Sequence, residues 1–351
     1  MNKLFLIGNG FDLAHGLKTK YADFLLGYQY SALQKLITDH LYEDSLMSSR
    51  VGYNVGKFPA SFSSLTKFNE FLELYGITFA QKYKFFDQLL KTAIDQNWVD
   101  IENQYYFELL RFFKILEQGN IEKHPRVESQ VKELNFCLDA IKERSSEYLL
   151  TVDNSLKEIQ PDIANHFNQE LIKKQVSDSF EVMLLNFNYT STLDLYLECF
   201  QYTNFSINHI HGKLNDANNP IIFGYGDEMD SYYQKMERLN SNEFLRNFKS
   251  FGYFKTKNYQ NLLRFIDSNH FQVFIMGHSC GRSDRVLLNS IFEHKYCSRI
   301  KVYYHQRNGT ENDFFEKTQE LSRHFKPENK GVMRKIIAPF SESSPLVDNK
   351  V

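Results

Sequence analysis

Short runs of apolar residues, each bounded by glycine or polar positions, recur along the chain and predict its strands. Five of them are clear: Leu4–Ile7, Val182–Leu185, Ile207–Ile210, Val273–Met276 and Ile300–Tyr304. Runs this short and continuous are typical of strands that are buried on both faces of a parallel sheet. Ile221–Phe223 is a weaker candidate. Because helical patterns lie between several of the runs, the alternation predicts an α/β fold with a doubly wound, mainly parallel sheet.

The stretch between the first and second strands is about the length of a whole domain and has a helical pattern. Two sets of its apolar residues recur at spacings of three and four, which places each set on one face of a helix. The sets are Phe86, Leu89, Leu90, Ala93 and Ile94, and Val127, Val131, Leu134, Leu138 and Ile141. We therefore expect a core of residues 1–30 and 180–340, an α-helical insertion of residues 31–179, and a polar, disordered tail at 341–351.

Composition and charge exclude several classes of protein. The 41 basic and 43 acidic residues give a net charge of −2, so no global basic field favours nucleic acid as a partner. The four cysteines form no CxxC pair, so neither a zinc ribbon nor a disulfide framework is predicted, and no bound metal is expected. The apolar start at Leu4–Ile7 is too short for a signal peptide or a membrane span. We therefore expect a cytoplasmic protein without a membrane partner.

The first strand ends in a turn with two glycines, within the stretch LFLIGNGFDLAHGLKTKY that begins at Leu4. A strand that ends in G-x-G and enters a helix can present backbone N–H groups to a phosphate. Gly8, Asn9 and Gly10 fit this pattern, although no glycine occupies the third position of the full dinucleotide fingerprint. The alternative interpretation is a tight strand-to-helix turn in which Asp12 caps the helix. The turn alone does not decide between them.

Polar side chains also follow the next two strands. The second strand ends in Asn186 and Asn188, and the third ends in His209 and His211. Ligands of open α/β sheets bind just beyond the carboxyl ends of the strands, so these side chains are candidates for chemistry. The structural alternatives are a turn-forming amide for Asn188 and a hydrogen-bonded turn histidine for His211. The His-x-His pair has no third ligand at a suitable spacing, which argues against a metal site.

The fourth strand end repeats the pattern in the stretch FIMGHSCGRSD. Gly277 allows close approach of another backbone, while Ser279, Ser283 and Asp284 offer groups that bind a ribose or cap a helix. Capping is the favoured role for Ser283, since a helical pattern follows directly. The residues that we expect to share one cleft are Gly8, Gly10, Asn188, His211 and Gly277.

The order of these motifs is similar to that of sirtuin-like domains, and the whole chain resembles more closely the AbiH family of bacterial phage abortive-infection proteins. The resemblance to sirtuin-like domains lies in Gly8-Asn9-Gly10, Asn188-Tyr189, His211-Gly212 and Gly277 with Ser283-Asp284. The resemblance to the AbiH family lies in LFLIGNGFDLAHGLKTKYADF, NFNYT, HIHG and FGYGD, and it includes WVDIE at Trp98–Glu102 in the insertion.

The resemblance implies a Rossmann-like core that binds NAD or a related nucleotide and acts in antiviral defence. By similarity to the sirtuin pattern, Asn188 and His211 would flank the nicotinamide ribose and act in cleavage of its glycosidic bond. Gly8 and Gly10 would donate N–H groups to the pyrophosphate. The other residues expected to contact the nucleotide are Asn9, Asp12, Asn186, Gly277, Ser279 and Asp284. The four-cysteine zinc module of deacetylating sirtuins is absent, which argues against a protein deacetylase.

Glu102 is the candidate that the insertion contributes to the site. On a helix, Trp98 and Glu102 share a face because they are four residues apart, whereas Asp100 and Glu102 do not. The favoured interpretation is a buried tryptophan beside a helix-surface acid. In the alternative, Glu102 reaches over the pocket and binds a ribose or acts in catalysis.

Three functions remain open at this point. The first is an NAD glycohydrolase that releases nicotinamide and thereby stops phage growth. The second is a sensing module that binds a nucleotide and signals to a defence partner protein or to another copy of the chain. The third is a scaffold, or a toxin that acts on another target, whose Rossmann-like core is inherited architecture. The sequence leaves open whether the protein is an enzyme.

Overall fold

The structure is a computed structural model that describes residues 1–53, 58–96, 100–119, 124–155, 157–172 and 180–348. Its strands, in chain order, are β1 (Asn2–Ile7), β2 (Leu41–Glu43), β3 (Met47–Arg50), β4 (Ala80–Gln81), β5 (Glu181–Asn186), β6 (Asn204–His209), β7 (Phe271–Met276), β8 (Cys297–Tyr304), β9 (Gln306–Asn308), β10 (Glu311–Asn312) and β11 (Ser344–Pro345).

Its α-helices, in chain order, are α1 (Asn9–Ala14), α2 (Tyr21–Asp39), α3 (Leu65–Leu74), α4 (Lys84–Gln96), α5 (Ile101–Glu117), α6 (His124–Asp153), α7 (Pro161–Leu171), α8 (Ser231–Glu237), α9 (Asn242–Leu245), α10 (Lys249–Gly252), α11 (Asn258–Ser268), α12 (Arg285–Phe292), α13 (Phe314–Arg323) and α14 (Lys330–Ile336). None of the helices in the described ranges is both long and apolar enough to cross a membrane.

The chain divides into two compact units. The first unit comprises residues 1–17, 152–231 and 248–351, and the second comprises residues 18–151 and 232–247. The boundaries therefore lie at 17/18 and 151/152, rather than at the predicted 30/31 and 179/180, and a second short segment joins the insertion.

The first unit is built on a six-stranded sheet in which every neighbouring pair is parallel. The strands lie in the order β11-β8-β7-β1-β5-β6. When these six strands are numbered 1 to 6 along the chain and read from β6 to β11, the order is 3-2-1-4-5-6, which is the arrangement of Rossmann folds. The predicted α/β fold with a parallel, Rossmann-like sheet is confirmed.

The continuous apolar runs of the sequence are explained by burial on both faces of the sheet. Along β1, Leu4 and Leu6 pack into one hydrophobic cluster, whereas Phe5 and Ile7 pack into another. Successive side chains of a strand point to opposite faces, so a strand covered on both sides needs apolar residues at every position. The five clear apolar runs all lie in or overlap strands of this sheet.

Two expectations differ from the structure. Ile221–Phe223 is not a strand: Ile222 is buried in the core, but its N–H donates to the carbonyl of His211 in the loop after β6, at 2.8 Å. Residues 341–348, expected to be disordered, instead include β11, which pairs with the end of β8 through Ser344 and Pro345. Backbone pairing overrides the polarity of this short segment. Residues 349–351 lie outside the described part of the chain.

The second unit is mainly helical, as predicted for the insertion. The two apolar sets of the sequence fall in α4 and α6. The unit also contains a small antiparallel sheet of β2, β3 and β4, which has no counterpart in the sequence prediction.

Candidate functional site

The carboxyl ends of four adjacent strands bring most of the predicted site residues to one edge of the first unit's sheet. The strands β7, β1, β5 and β6 are consecutive neighbours, and they end before Gly277, Gly8, Phe187 and Ile210 respectively. The strand order reverses direction between β1 and β7. This switch point is the position where nucleotides bind in open α/β sheets. Gly8, Asn188 and His211 therefore follow neighbouring strands rather than opposite edges.

The glycines of the first turn serve close packing between two backbones. A Cβ added to Gly8 would lie 2.5 Å from the Cα of His278, and one added to Gly10 would lie 2.7 Å from the carbonyl oxygen of Gly277. Gly277 itself has φ +78°, and a Cβ there would lie 2.1 Å from the nitrogen of Phe11. The segments after β1 and β7 are therefore packed so closely that a side chain would not fit at these glycines.

This packing changes the expected role of the glycine N–H groups. The N–H of Gly8 donates to the carbonyl of Met276 at 3.2 Å, and that of Gly10 donates to the carbonyl of Gly277 at 2.8 Å. Both donors predicted to bind a pyrophosphate are thus used within the fold. Asn9 and Ser279, by contrast, lie on the same two loops with exposed side chains.

Asp12 lies inside α1 and does not cap it, because the N-cap position belongs to Gly8. The carboxylate is 1% exposed, and its Oδ2 accepts a hydrogen bond from Thr190 at 2.7 Å. None of the described residues hydrogen-bonds to its Oδ1. Burial raises the pKa of Asp12 to about 6, and the hydrogen bond from Thr190 opposes this rise only in part.

The two asparagines at the end of β5 hold the strand ends together. The Nδ2 of Asn188 donates to the carbonyl of Gly8 at 3.1 Å, and its backbone N–H donates to the Oδ1 of Asn186 at 3.0 Å. The Nδ2 of Asn186 lies 3.4 Å from the Nδ1 of His209. Both asparagines are buried. The side chain of Asn188 therefore contacts the glycine turn directly.

His211 and Asp284 form a buried pair. The Nε2 of His211 lies 3.1 Å from the Oδ1 of Asp284, and the same oxygen accepts from the Nζ of Lys249 at 2.9 Å. The Oδ2 of Asp284 lies 3.7 Å from the Nε2 of His278, and the hydroxyl of Tyr253 lies 3.4 Å from the Nε2 of His211. We call these five residues the Asp284 cluster.

The charges of the Asp284 cluster follow from its contacts. Burial raises the pKa of Asp284, but Lys249 and His211 outweigh it and hold that pKa well below its usual range. Burial, together with the nearby Lys249, lowers the pKa of His211, and burial lowers that of His278 to about 3. Near neutral pH the cluster thus contains one carboxylate, one ammonium group and two neutral imidazoles.

The backbone fixes the hydrogen on one of these imidazoles. The N–H of Cys280 donates to the Nδ1 of His278 at 2.9 Å, so a neutral His278 has its hydrogen on Nε2, the nitrogen nearer Asp284. A His–Asp pair in which the carboxylate orients the ring is the arrangement used by general bases in many hydrolases.

The sequence predicted His211 and Asp284 as site residues, but it missed Lys249, His278 and Tyr253. His278 directly follows Gly277, so its position near the end of a strand could have been predicted from the sequence. Lys249 begins α10, and its backbone N–H donates to the carbonyl of Tyr225 in the FGYGD loop at 2.9 Å. Ser283, the favoured cap, is not at either N-cap position: Gly281 is the N-cap of the short 3-10 turn, and Asp284 is the N-cap of α12.

Glu102 belongs to the second unit. It lies in the first turn of α5 and is buried, so it is not the helix-surface acid that the sequence favoured. Asp100 caps α5, because its Oδ1 accepts from the N–H of Asn103 at 3.0 Å. Trp98 lies outside the described residues. A role for Glu102 in ribose binding or catalysis stays a prediction.

Comparison with protein families gives a match over most of the chain. Residues 4–305 match the family model described as "Bacteriophage abortive infection AbiH". No curated protein matches the chain.

Proposed function

The chain belongs to the AbiH family of bacteriophage abortive-infection proteins, and from this premise we propose that it stops phage growth by cleaving NAD. In this proposal NAD, or a closely related nucleotide, binds at the carboxyl edge of the six-stranded sheet. The bond between nicotinamide and ribose is then hydrolysed, so that water adds to the ribose carbon, nicotinamide leaves as a neutral molecule, and one proton is released.

The His211–Asp284 pair carries this proposal. Hydrolysis at the ribose carbon needs a base that takes the proton of a water or of a ribose hydroxyl. His211 is neutral because its pKa is lowered, and Asp284 lies 3.1 Å from its Nε2. A neutral histidine held by a carboxylate can accept a proton and is stabilised once it has done so. His211 follows β6, and Asp284 follows β7, which borders the switch point.

The polar groups around the switch point support nucleotide binding in a modified form. Because the N–H groups of Gly8 and Gly10 are already bonded, they cannot form the ordinary phosphate cradle in this conformation. Asn9, Ser279 and Arg282 have exposed side chains on the loops after β1 and β7. These amide, hydroxyl and guanidinium groups are suited to bind phosphate and ribose oxygens. In the proposal they replace the backbone donors.

A second function is favoured by the burial of the candidate site. His211 is 5% exposed, and Asn188 and Asp284 are each 8% exposed. NAD would reach these groups only after the surrounding loops open. A module that senses a nucleotide, and signals to a defence partner or to another copy of the chain, needs the surface groups Asn9 and Ser279 but no access to His211.

Incubation of the purified protein with NAD, followed by chromatography for nicotinamide, tests the proposal. The wild-type protein should release nicotinamide, and His211→Ala should lose about 10²–10⁴-fold of the rate, as expected when a general base is removed. Calorimetric titration of both proteins with NAD is the control, since the variant should still bind. Binding by both proteins without nicotinamide release from either, in extracts of infected cells as well as in buffer, would favour the sensing module.

A further inference from the structure

Lys249 is the least expected member of the Asp284 cluster. Its side chain is only 2% exposed, although lysine is among the residues most rarely buried. Its Nζ lies 2.9 Å from the Oδ1 of Asp284, the same oxygen that faces the Nε2 of His211 at 3.1 Å. One carboxylate oxygen therefore lies between an ammonium group and an imidazole.

From this arrangement we infer that Lys249 sets the protonation of His211: it holds Asp284 ionised, so that the ring hydrogen of His211 stays on Nε2 and the basic atom is Nδ1. Lys249 is thus a positioning residue that acts through Asp284. The role of that basic atom in catalysis rests on the proposed function, whereas the position of the hydrogen does not.

The hydrogen shared by His211 and Asp284 can lie on the Nε2 of His211 or on the carboxyl group of Asp284. An ionised Asp284 can only accept, so the Nε2 that faces it must carry hydrogen. A protonated Asp284 would instead donate to Nε2 and move the ring hydrogen to Nδ1. The ammonium of Lys249 makes the ionised carboxylate the stable form in this buried position, because an uncompensated buried charge is costly.

The same ammonium keeps His211 neutral. If the ring took up a second proton, the cluster would contain two cations beside one carboxylate, away from water. Burial and Lys249 accordingly lower the pKa of His211, in opposition to Asp284. The titratable groups that face His211 or act on its neighbours are Asp284, Lys249, Tyr253, His278, Lys317 and His324.

Lys317 offers a matched control within the same region. Its Nζ lies 2.9 Å from the backbone carbonyl of His278, and it is half-buried. It is therefore a second lysine beside the cluster, but it bonds a carbonyl rather than Asp284. Replacement of Lys317 removes a nearby positive charge without removing the counter-ion of the carboxylate.

NMR of protein labelled with ¹⁵N-histidine tests the inference, because it distinguishes a protonated from an unprotonated ring nitrogen. The His211 signals are assigned by their loss in His211→Gln. In the wild-type protein, at neutral pH and above, Nε2 should carry the hydrogen and Nδ1 should be unprotonated. A hydrogen on Nδ1 of the neutral ring would overturn the inference, and this arm requires no variant of Lys249.

Lys249→Met supplies the second arm. Without the ammonium, His211 is closer to Asp284 than His278 is and is the better placed of the two to neutralise it, so the pKa of His211 should rise by about one to three pH units. Lys317→Met should leave that pKa within a few tenths of the wild-type value. An unchanged pKa in Lys249→Met, or an equal rise in Lys317→Met, would overturn the inference.

If NAD is the substrate, the pH dependence of kcat/KM gives a further readout. Lys249→Met should lose activity at pH values below the raised pKa of its His211 and should regain it as the pH rises through that pKa. A loss that is independent of pH would mean that Lys249 has only a structural role. Absence of NAD turnover in the wild-type protein would contradict the proposed function but would leave both NMR arms valid.

Discussion

Replacement of Gly10 by alanine tests whether the first turn is packed backbone or an open phosphate cradle. Gly10 lies inside α1, where alanine is normally more stable than glycine by about 0.5–1 kcal/mol. The added Cβ, however, would lie 2.7 Å from the carbonyl oxygen and 2.8 Å from the Cα of Gly277. Overpacking of this kind costs about 1–3 kcal/mol, and here both neighbours are backbone atoms that cannot rotate away. The net expectation is a loss of up to about 2.5 kcal/mol.

Gly331 is the matched control, since it is also helical and a Cβ there meets nothing within 4 Å. Gly331→Ala should therefore be neutral or stabilising by up to about 1 kcal/mol. The assay is urea denaturation followed by circular dichroism, with the free energy of unfolding compared between each variant and the wild-type protein. If Gly10→Ala is as stable as Gly331→Ala and loses only nucleotide binding, the packing argument is wrong and the turn is a phosphate cradle.

Two further substitutions probe the same edge of the sheet. Gly277→Ala should destabilise the protein more than Gly16→Ala by about 1–3 kcal/mol in thermal or urea unfolding. Both glycines have positive φ, but only at Gly277 would the added Cβ meet neighbouring atoms. Equal losses would refute this. Asp12 has a folded-state pKa of about 6, above its ordinary value of 3.8, so the folded state holds the proton more tightly. The free energy of unfolding should therefore fall as the pH rises from about 4 to about 6, by up to roughly 3 kcal/mol, and Asp12→Asn should flatten this dependence. A wild-type profile parallel to that of Asp12→Asn would show that Asp12 is ionised throughout.

The parallel sheet could be predicted from the sequence because its cause is local. A strand covered on both faces must be apolar at every position, and the runs at β1, β5 and β7 show this directly. The spatial order of the strands could not be read in the same way, since it depends on pairing between residues far apart in the chain. The strand β11 was missed because its two residues have no apolar run.

The candidate site was predicted residue by residue but not as a set of contacts. His211 and Asp284 were recognised because each follows a strand, yet 73 positions separate them. Their contact joins the segments after β6 and β7, although β1 and β5 lie between these strands in the sheet. Lys249 gave no signal, because a lysine in a short helix is usually exposed. The glycines gave an ambiguous signal, since a phosphate and a neighbouring backbone both require the absence of a Cβ.

In the proposed function, the protein defends by consuming NAD through His211. The most direct measurement compares NAD and nicotinamide in phage-infected cells that express the wild-type protein or His211→Ala at equal levels. We expect NAD to fall and nicotinamide to rise only in cells with the wild-type protein, and His211→Ala to abolish protection against the phage. Constant NAD during an effective defence, together with full protection by His211→Ala, would contradict it.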